Sequence, residues 1–170
     1  MPGSVIQLTM NFGYPGSYSR MPDDVVMNKP VKSDSANIKF GSAVILNGDN
    51  TFSAAGANLT ADNFAGIAVR EVKQAITLNA DQGSYSPLDP CDVLLRGNTV
   101  IKVARGTPKA GGAVLYRIAV GATVGSAVGD FEAGEVTESE TIALPNVVFT
   151  TGEVDGNNVA EVTIKTRNNN

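Results

Sequence analysis

The sequence predicts a mainly β fold: an antiparallel β-barrel or sandwich of about seven or more short strands, preceded by an extended N-terminal arm. Three observations carry this reading. Val- and Thr-rich runs recur at intervals of roughly ten residues with turn residues between them. Gly accounts for 18 of 170 residues, whereas Trp is absent and aromatic residues reach only 6%. No stretch sustains the apolar period of a long helix. An apolar content of 42% is enough for a real core.

Residues 1–37 read as the arm and 38–170 as the β-rich domain. Residues 5–9 form a short candidate strand. The segment NFGYPGSYSRMPDDVVMNKP follows, holding Phe12, Tyr14, Tyr18, Met21, Val25, Val26 and Met27 among three prolines. Pro15, Pro22 and Pro30 each push the preceding residue toward extended geometry, so no helix runs through it. DDVVMN is too short to stand as a helix alone. Such an apolar, proline-pinned arm has two physical destinations. It covers an edge of its own barrel, or it lies on a neighbouring subunit. Proline reduces the entropy lost on docking in either case.

From Ile38 the pattern changes. IKFGSAVIL alternates and ends at NGDN, a hairpin signal. TADN, with Thr60 placed to cap a single turn, precedes the strand FAGIAVREV. DVLLRGNTVIKVARG sets Gly97-Asn98 between two apolar runs and predicts a second hairpin. TPKAGG is a turn and AVLYRIAV a strand. GATVGSAVGDFEAGE is rich in glycine and without period, and reads over 121–134 as a loop crossing the surface. LPNVVFTTGEV and NVAEVTIK flank Asp155-Gly156, a third hairpin, and the NNN terminus is expected to fray.

The residue census argues against chemistry. With no histidine, the Ser-His-Asp and Cys-His arrangements and the usual zinc sets are missing. The single cysteine, Cys91, enters an apolar run and reads as a small buried side chain. Asp49, Asp130, Glu132 and Asp155 sit in turn contexts, where carboxylates bond their own backbone. Asp81, Asp89 and Asp92 lie close in sequence but match no calcium loop. GATVGSAVG lacks the Lys-Ser/Thr of a phosphate loop. The net charge of −4 disfavours a sequence-independent grip on nucleic acid. There is no apolar run of membrane-spanning length and no leader pattern. The expectation is therefore a protein that is not an enzyme, with no catalytic residue, cofactor or metal, and with neither nucleic acid nor membrane as partner. A carbohydrate-binding module is a weaker reading, because stacking platforms are scarce. An enzyme built on a carboxylate pair is weaker still.

The order of NFGYPGSYSRMPDDVV, NIKFGSAVIL, FAGIAVREV, GTPKAGGAVLYR and LPNVVFTTGEVDGNNVAEVTI resembles the structural cement proteins of tailed-phage heads. Each piece alone is strand-and-turn grammar; their sequence order carries the likeness. The resemblance implies a β-rich domain on the outer surface of the virion capsid, assembled in the host cytoplasm. It further implies a homotrimer that binds the major capsid protein and stabilises the shell by bridging capsomers. On that reading Phe12, Tyr14, Tyr18, Arg20 and Met21 anchor the contact, while Val25, Val26 and Met27 pack on a neighbouring subunit or on the shell. The alternative for all eight is that they cover their own barrel. A phage tail-tube or baseplate protein is the competing structural reading.

Overall fold

The computed structural model describes residues 11–70, 83–121, 126–137 and 139–166, with backbone alone at 21 and 22. The candidate strand at 5–9 and the NNN terminus lie outside the described residues. Eleven strands are present among these residues, and no helix. They are β1 (Tyr18–Pro30), β2 (Ile38–Lys39), β3 (Ala43–Leu46), β4 (Phe52–Ala54), β5 (Phe64–Ala68) and β6 (Ser84–Tyr85). β7 (Pro90–Arg105), β8 (Ala113–Arg117), β9 (Phe131–Glu132), β10 (Thr141–Phe149) and β11 (Val159–Ile164) complete the set. The mainly β expectation holds.

The organising element is β7, whose 16 residues pair with four other strands. Its first half pairs with β1 and with β5, which share Val93 and Leu94 as partners and therefore occupy opposite edges. Its second half pairs with β11 antiparallel and with β9 in parallel. Following the ladders outward gives two rings. One runs β7–β11–β10–β8–β9 and returns to β7. The other runs β7–β5–β3–β4 and is closed onto β1 by the parallel bridge Val31↔Phe52, where Lys32 N donates to Phe52 O at 2.8 Å. Closure removes the free edges that would otherwise invite pairing with other chains.

Two cores follow from strand alternation. Ile101, Val114, Tyr116, Phe131, Val147, Phe149, Ala160 and Val162 form the centre of the first. Val31, Val44, Phe52, Cys91, Val93 and Leu95 form the second. β5 stands between them, with Phe64 and Ile67 facing the first and Ala65 and Ala68 the second. That is why FAGIA is buried at every position instead of alternating with polar residues. Cys91 is fully buried, as its apolar context implies. Tyr85 and Phe40 meet edge to face at 5.1 Å beside the second core, and the Tyr85 hydroxyl donates to Val69 O.

Two sequence expectations are revised. Gly97-Asn98 is not a hairpin: β7 runs straight through it. Gly97 has φ +126°, and a Cβ there would overlap the Asp24 carboxylate, whose Oδ1 accepts from Asn98 N at 3.2 Å. The glycine is there to admit an acid from β1. The loop expected over 121–134 contains β9, whose Phe131–Glu132 closes the first ring. From Tyr18 to Pro30 the segment expected as an arm over 1–37 lies on the chain's own sheet as a strand, one of the two destinations left open by the sequence. NGDN does turn β3 into β4, and β10 and β11 are joined across Asp155-Gly156. Thr60 and Asn63 bond each other's backbone reciprocally around a turn, with no helix after it.

The first ring holds one fully buried cation. Arg117 donates through Nε and Nη2 to Glu132 and through Nη1 to Glu140 at 2.8 Å. Arg117 on β8 and Glu132 on β9 thus bind adjacent strands of the closing ladder. Breaking such a pair leaves a buried charge unmatched.

Two predictions follow from this packing. Gly97→Ala lowers stability by roughly 2–4 kcal/mol, from backbone strain and displacement of Asp24. Gly156→Ala, whose Cβ would meet nothing within 4 Å, stays within about 0.5 kcal/mol of wild type. Equal losses in urea denaturation would contradict the account of Gly97. The second concerns acid. The hydrogen bonds from Arg117 hold the Glu132 carboxyl below its ordinary value of 4.5, so its contribution is present above that pH and is lost on acidification through the lower folded value. Arg117→Met costs about 3–5 kcal/mol at neutral pH by stranding the carboxylates. The variant should then recover stability on acidification while wild type loses it. Parallel stability-against-pH curves for the two proteins would show the carboxylates are not held by Arg117.

Candidate interaction surface

The described residues contain no group of three or more His, Cys, Asp or Glu positioned to hold a metal ion. Asp89 accepts from Ser86 N and Asp92 from Asn28 Nδ2, while Asp81 lies outside the described residues. The acids that do converge, Glu132 and Glu140, both pair with Arg117. No described helix is long and apolar enough to cross a membrane. What remains is the outer face of the N-terminal segment and a groove beneath it.

β1 lies along β7 with an irregular register. Arg20 pairs with Asn98 and Val25 with Arg96, so residues 21–24 form a wide bulge opposite Gly97. Pro22 suits the bulge because it has no N–H to lose from a ladder. Asp23 pairs with Arg96 at 2.6 Å on the bulge's exposed side. Arg20 reaches across to the buried Glu161, with Nε to Oε1 at 2.7 Å and Nη2 to Oε2 at 3.0 Å. This bidentate pair satisfies a carboxylate that is otherwise only 3% exposed.

The eight arm residues divide by environment. Tyr14 is 68% exposed, Tyr18 43% and Val26 38%. Arg20 is also exposed, though its guanidinium is engaged with Glu161. Phe12 and Val25 are half-buried, and the Phe12 N–H donates to Asp155 Oδ2 at 3.2 Å. Met27 packs against the second core of its own chain. The Met21 side chain lies outside the described residues. Burial, then the nearby carboxylates of Asp92 and Asp24, push the Tyr18 phenol up, so it is neutral at physiological pH.

Upstream of β1 the chain threads a close crossing. Gly16 N donates to Val100 O and Gly16 O accepts from Arg70 N, both at 2.8 Å. A Cβ on Gly16 would stand 2.7 Å from Gly41 N, and φ at Gly16 is +83°. This crossing sets Tyr14 over Arg70, whose guanidinium carbon lies 4.8 Å from the Tyr14 ring centre and 5.7 Å from that of Phe40. Next to it opens a groove of about 650 Å³ between the two rings. Phe40, Pro15, Val103 and Phe131 give it apolar walls, while Lys39, Arg70, Lys102 and Asp130 supply charge. The arm's aromatics were legible in the sequence as a group, though not which of them face out. The groove was not, because its cations come from three distant elements.

The chain was compared with known proteins. Residues 1–165 match the family model described as structural cement protein (E217 gp24/Pam3 gp6). No curated protein matches. Among solved structures, a chain of "The capsid of Myoviridae Phage XM1" has the same fold, with a TM-score of 0.67 at 19% identity. That alignment covers 97% of this chain and 98% of the other. The matched family is described as structural. The chain is a virion component and belongs to the phage structural cement protein family.

Proposed function

We propose that this cement protein binds the outer surface of the assembled shell as a homotrimer, contacts the major capsid protein and bridges neighbouring capsomers. Its role is mechanical, with no catalytic step. The observation that carries the reading, beyond family membership, is the outward face of β1 and the segment before it. Tyr14, Tyr18 and Val26 stand exposed on a backbone fixed by β7. Large side chains left exposed on a rigid strand lose little entropy when a partner covers them. Aromatic side chains and arginine dominate interface energetics, which fits Tyr14, Tyr18 and Arg20 as anchors, with Met21 carried on the bulge. Phe12, Val25 and Met27 support that face from beneath. Three linked footprints raise the effective concentration of each weak contact, so a modest patch per subunit suffices for stable decoration.

The test uses the full chain and undecorated shells. Light scattering of the free protein should give three times 17.6 kDa. Tyr18→Ala with Val26→Asp should reduce shell occupancy by about tenfold or more with the thermal transition nearly unchanged, since both side chains already face solvent. Unaltered decoration by this variant would remove β1 from the interface. A monomer or a six-membered ring at all concentrations, with shell binding intact, would overturn the trimer.

A further inference from the structure

We infer that the groove between the two rings is a docking site for an extended acidic segment of the shell protein, with Arg70 as its central contact. This rests on the cement reading above, and it adds a groove whose lining residues lie outside β1. The first observation is charge. The chain as a whole carries −4, yet three cations and one carboxylate line this groove. Lys39, Arg70 and Lys102 have no carboxylate partner among the described residues. The carboxylate, Asp130, is already engaged, its Oδ2 accepting from Ala127 N at 2.7 Å. The groove is therefore positive in a negative protein.

The second observation is how Arg70 is held. Its guanidinium is flanked by Tyr14 and Phe40 within cation–π range, and no hydrogen bond from it is made to any described side chain or carbonyl. Two flanking rings restrict where the guanidinium can lie, and no described residue occupies its N–H groups. That is the arrangement that receives a carboxylate bidentately. The backbone behind it is equally fixed, since Arg70 N is bound to Gly16 O across the glycine crossing.

The third is shape. The groove holds about 650 Å³ and has Phe40, Phe131 and Val103 among its lining. An inorganic anion would leave most of that volume and all of the apolar wall uncovered. A peptide of alternating acidic and apolar residues would fill both. Lys39 stands on β2 and Lys102 on β7, on different elements around Arg70, so successive carboxylates of one extended segment would each meet a cation. Nucleic acid is disfavoured, because only three cations are available and the surrounding chain is acidic.

The experiment compares wild type, Lys39→Gln/Lys102→Gln, Arg70→Lys and, as a control outside the groove, Lys165→Gln. Each is mixed with undecorated shells in moderate salt and separately titrated with a hexaglutamate peptide. The double lysine variant should lose about tenfold in shell affinity, and raised salt should narrow its difference from wild type. Arg70→Lys should also weaken binding although it keeps the charge, and Lys165→Gln should match wild type. Hexaglutamate should bind wild type and compete with shells, and bind the double variant more weakly. Wild type that decorates shells while the groove variants decorate equally well would overturn this inference and leave the cement reading standing. Wild type that fails to decorate shells would sink the cement reading instead, and the peptide titration would still decide whether the groove takes acidic chains. Groove variants that alter the mass of the free protein without altering decoration would make the groove a contact between copies, which also overturns the proposal.

Discussion

A β-strand has two edges, and β7 uses both of them twice. Sixteen residues at about 3.3 Å each are long enough to carry one pair of partners on the first half and another on the second. Every other strand of the main sheet is placed by its distance, in ladder steps, from this one. The two cores exist because the strand twists between its halves and turns one set of side chains toward each ring. Glycine at 97, near the midpoint, is where the two halves meet and where the β1 bulge is admitted. The geometry of the N-terminal face is thus set by a residue far from it in sequence.

The polar interior follows the same logic. Each ring contains one parallel contact, β9 on β7 and Val31 on Phe52, and these joints are short, spanning two residue pairs and one. The first is extended by Ala133 N donating to Arg105 O at 2.9 Å, and the second by Lys32 N donating to Phe52 O at 2.8 Å. Arg20 and Glu161 link β1 to β11, strands that do not pair with each other.

How much of this was legible depended on range. NGDN and Asp155-Gly156 announced their turns correctly because a hairpin is specified by the residues inside it. Gly97-Asn98 misled for the same reason. An apolar run, a glycine and another apolar run describe both a hairpin and a long strand with one vacancy, and the difference lies in Asp24, outside any local window. Phe131–Glu132 is too short to show a period, so a strand that closes a ring read as loop. The arm posed two destinations, and the residues themselves did not choose between them. Among the described side chains Tyr14, Tyr18, Arg20 and Val26 face out while Phe12, Val25 and Met27 are half-buried, a division that follows strand alternation beyond the bulge. Lys39, Arg70 and Lys102 gave no signal at all, since nothing in their flanking residues marks them as neighbours.

The pairing of β1 and β11 with the same strand has a consequence for how the molecule comes into being. β1 must wait for residues around 90–99, and the first ring cannot close until residues 159–164 exist, so its neighbourhood is complete only when nearly the whole chain has been made. Contacts of such long sequence separation slow folding, because loop entropy is lost before the pairing rewards it. On the ribosome the N-terminal strand is made early and has nothing native to pair with. Its proline-rich, bulged sequence is poorly suited to pairing with itself during that interval. The irregularity that shapes the outer face of the finished protein also protects the unfinished one.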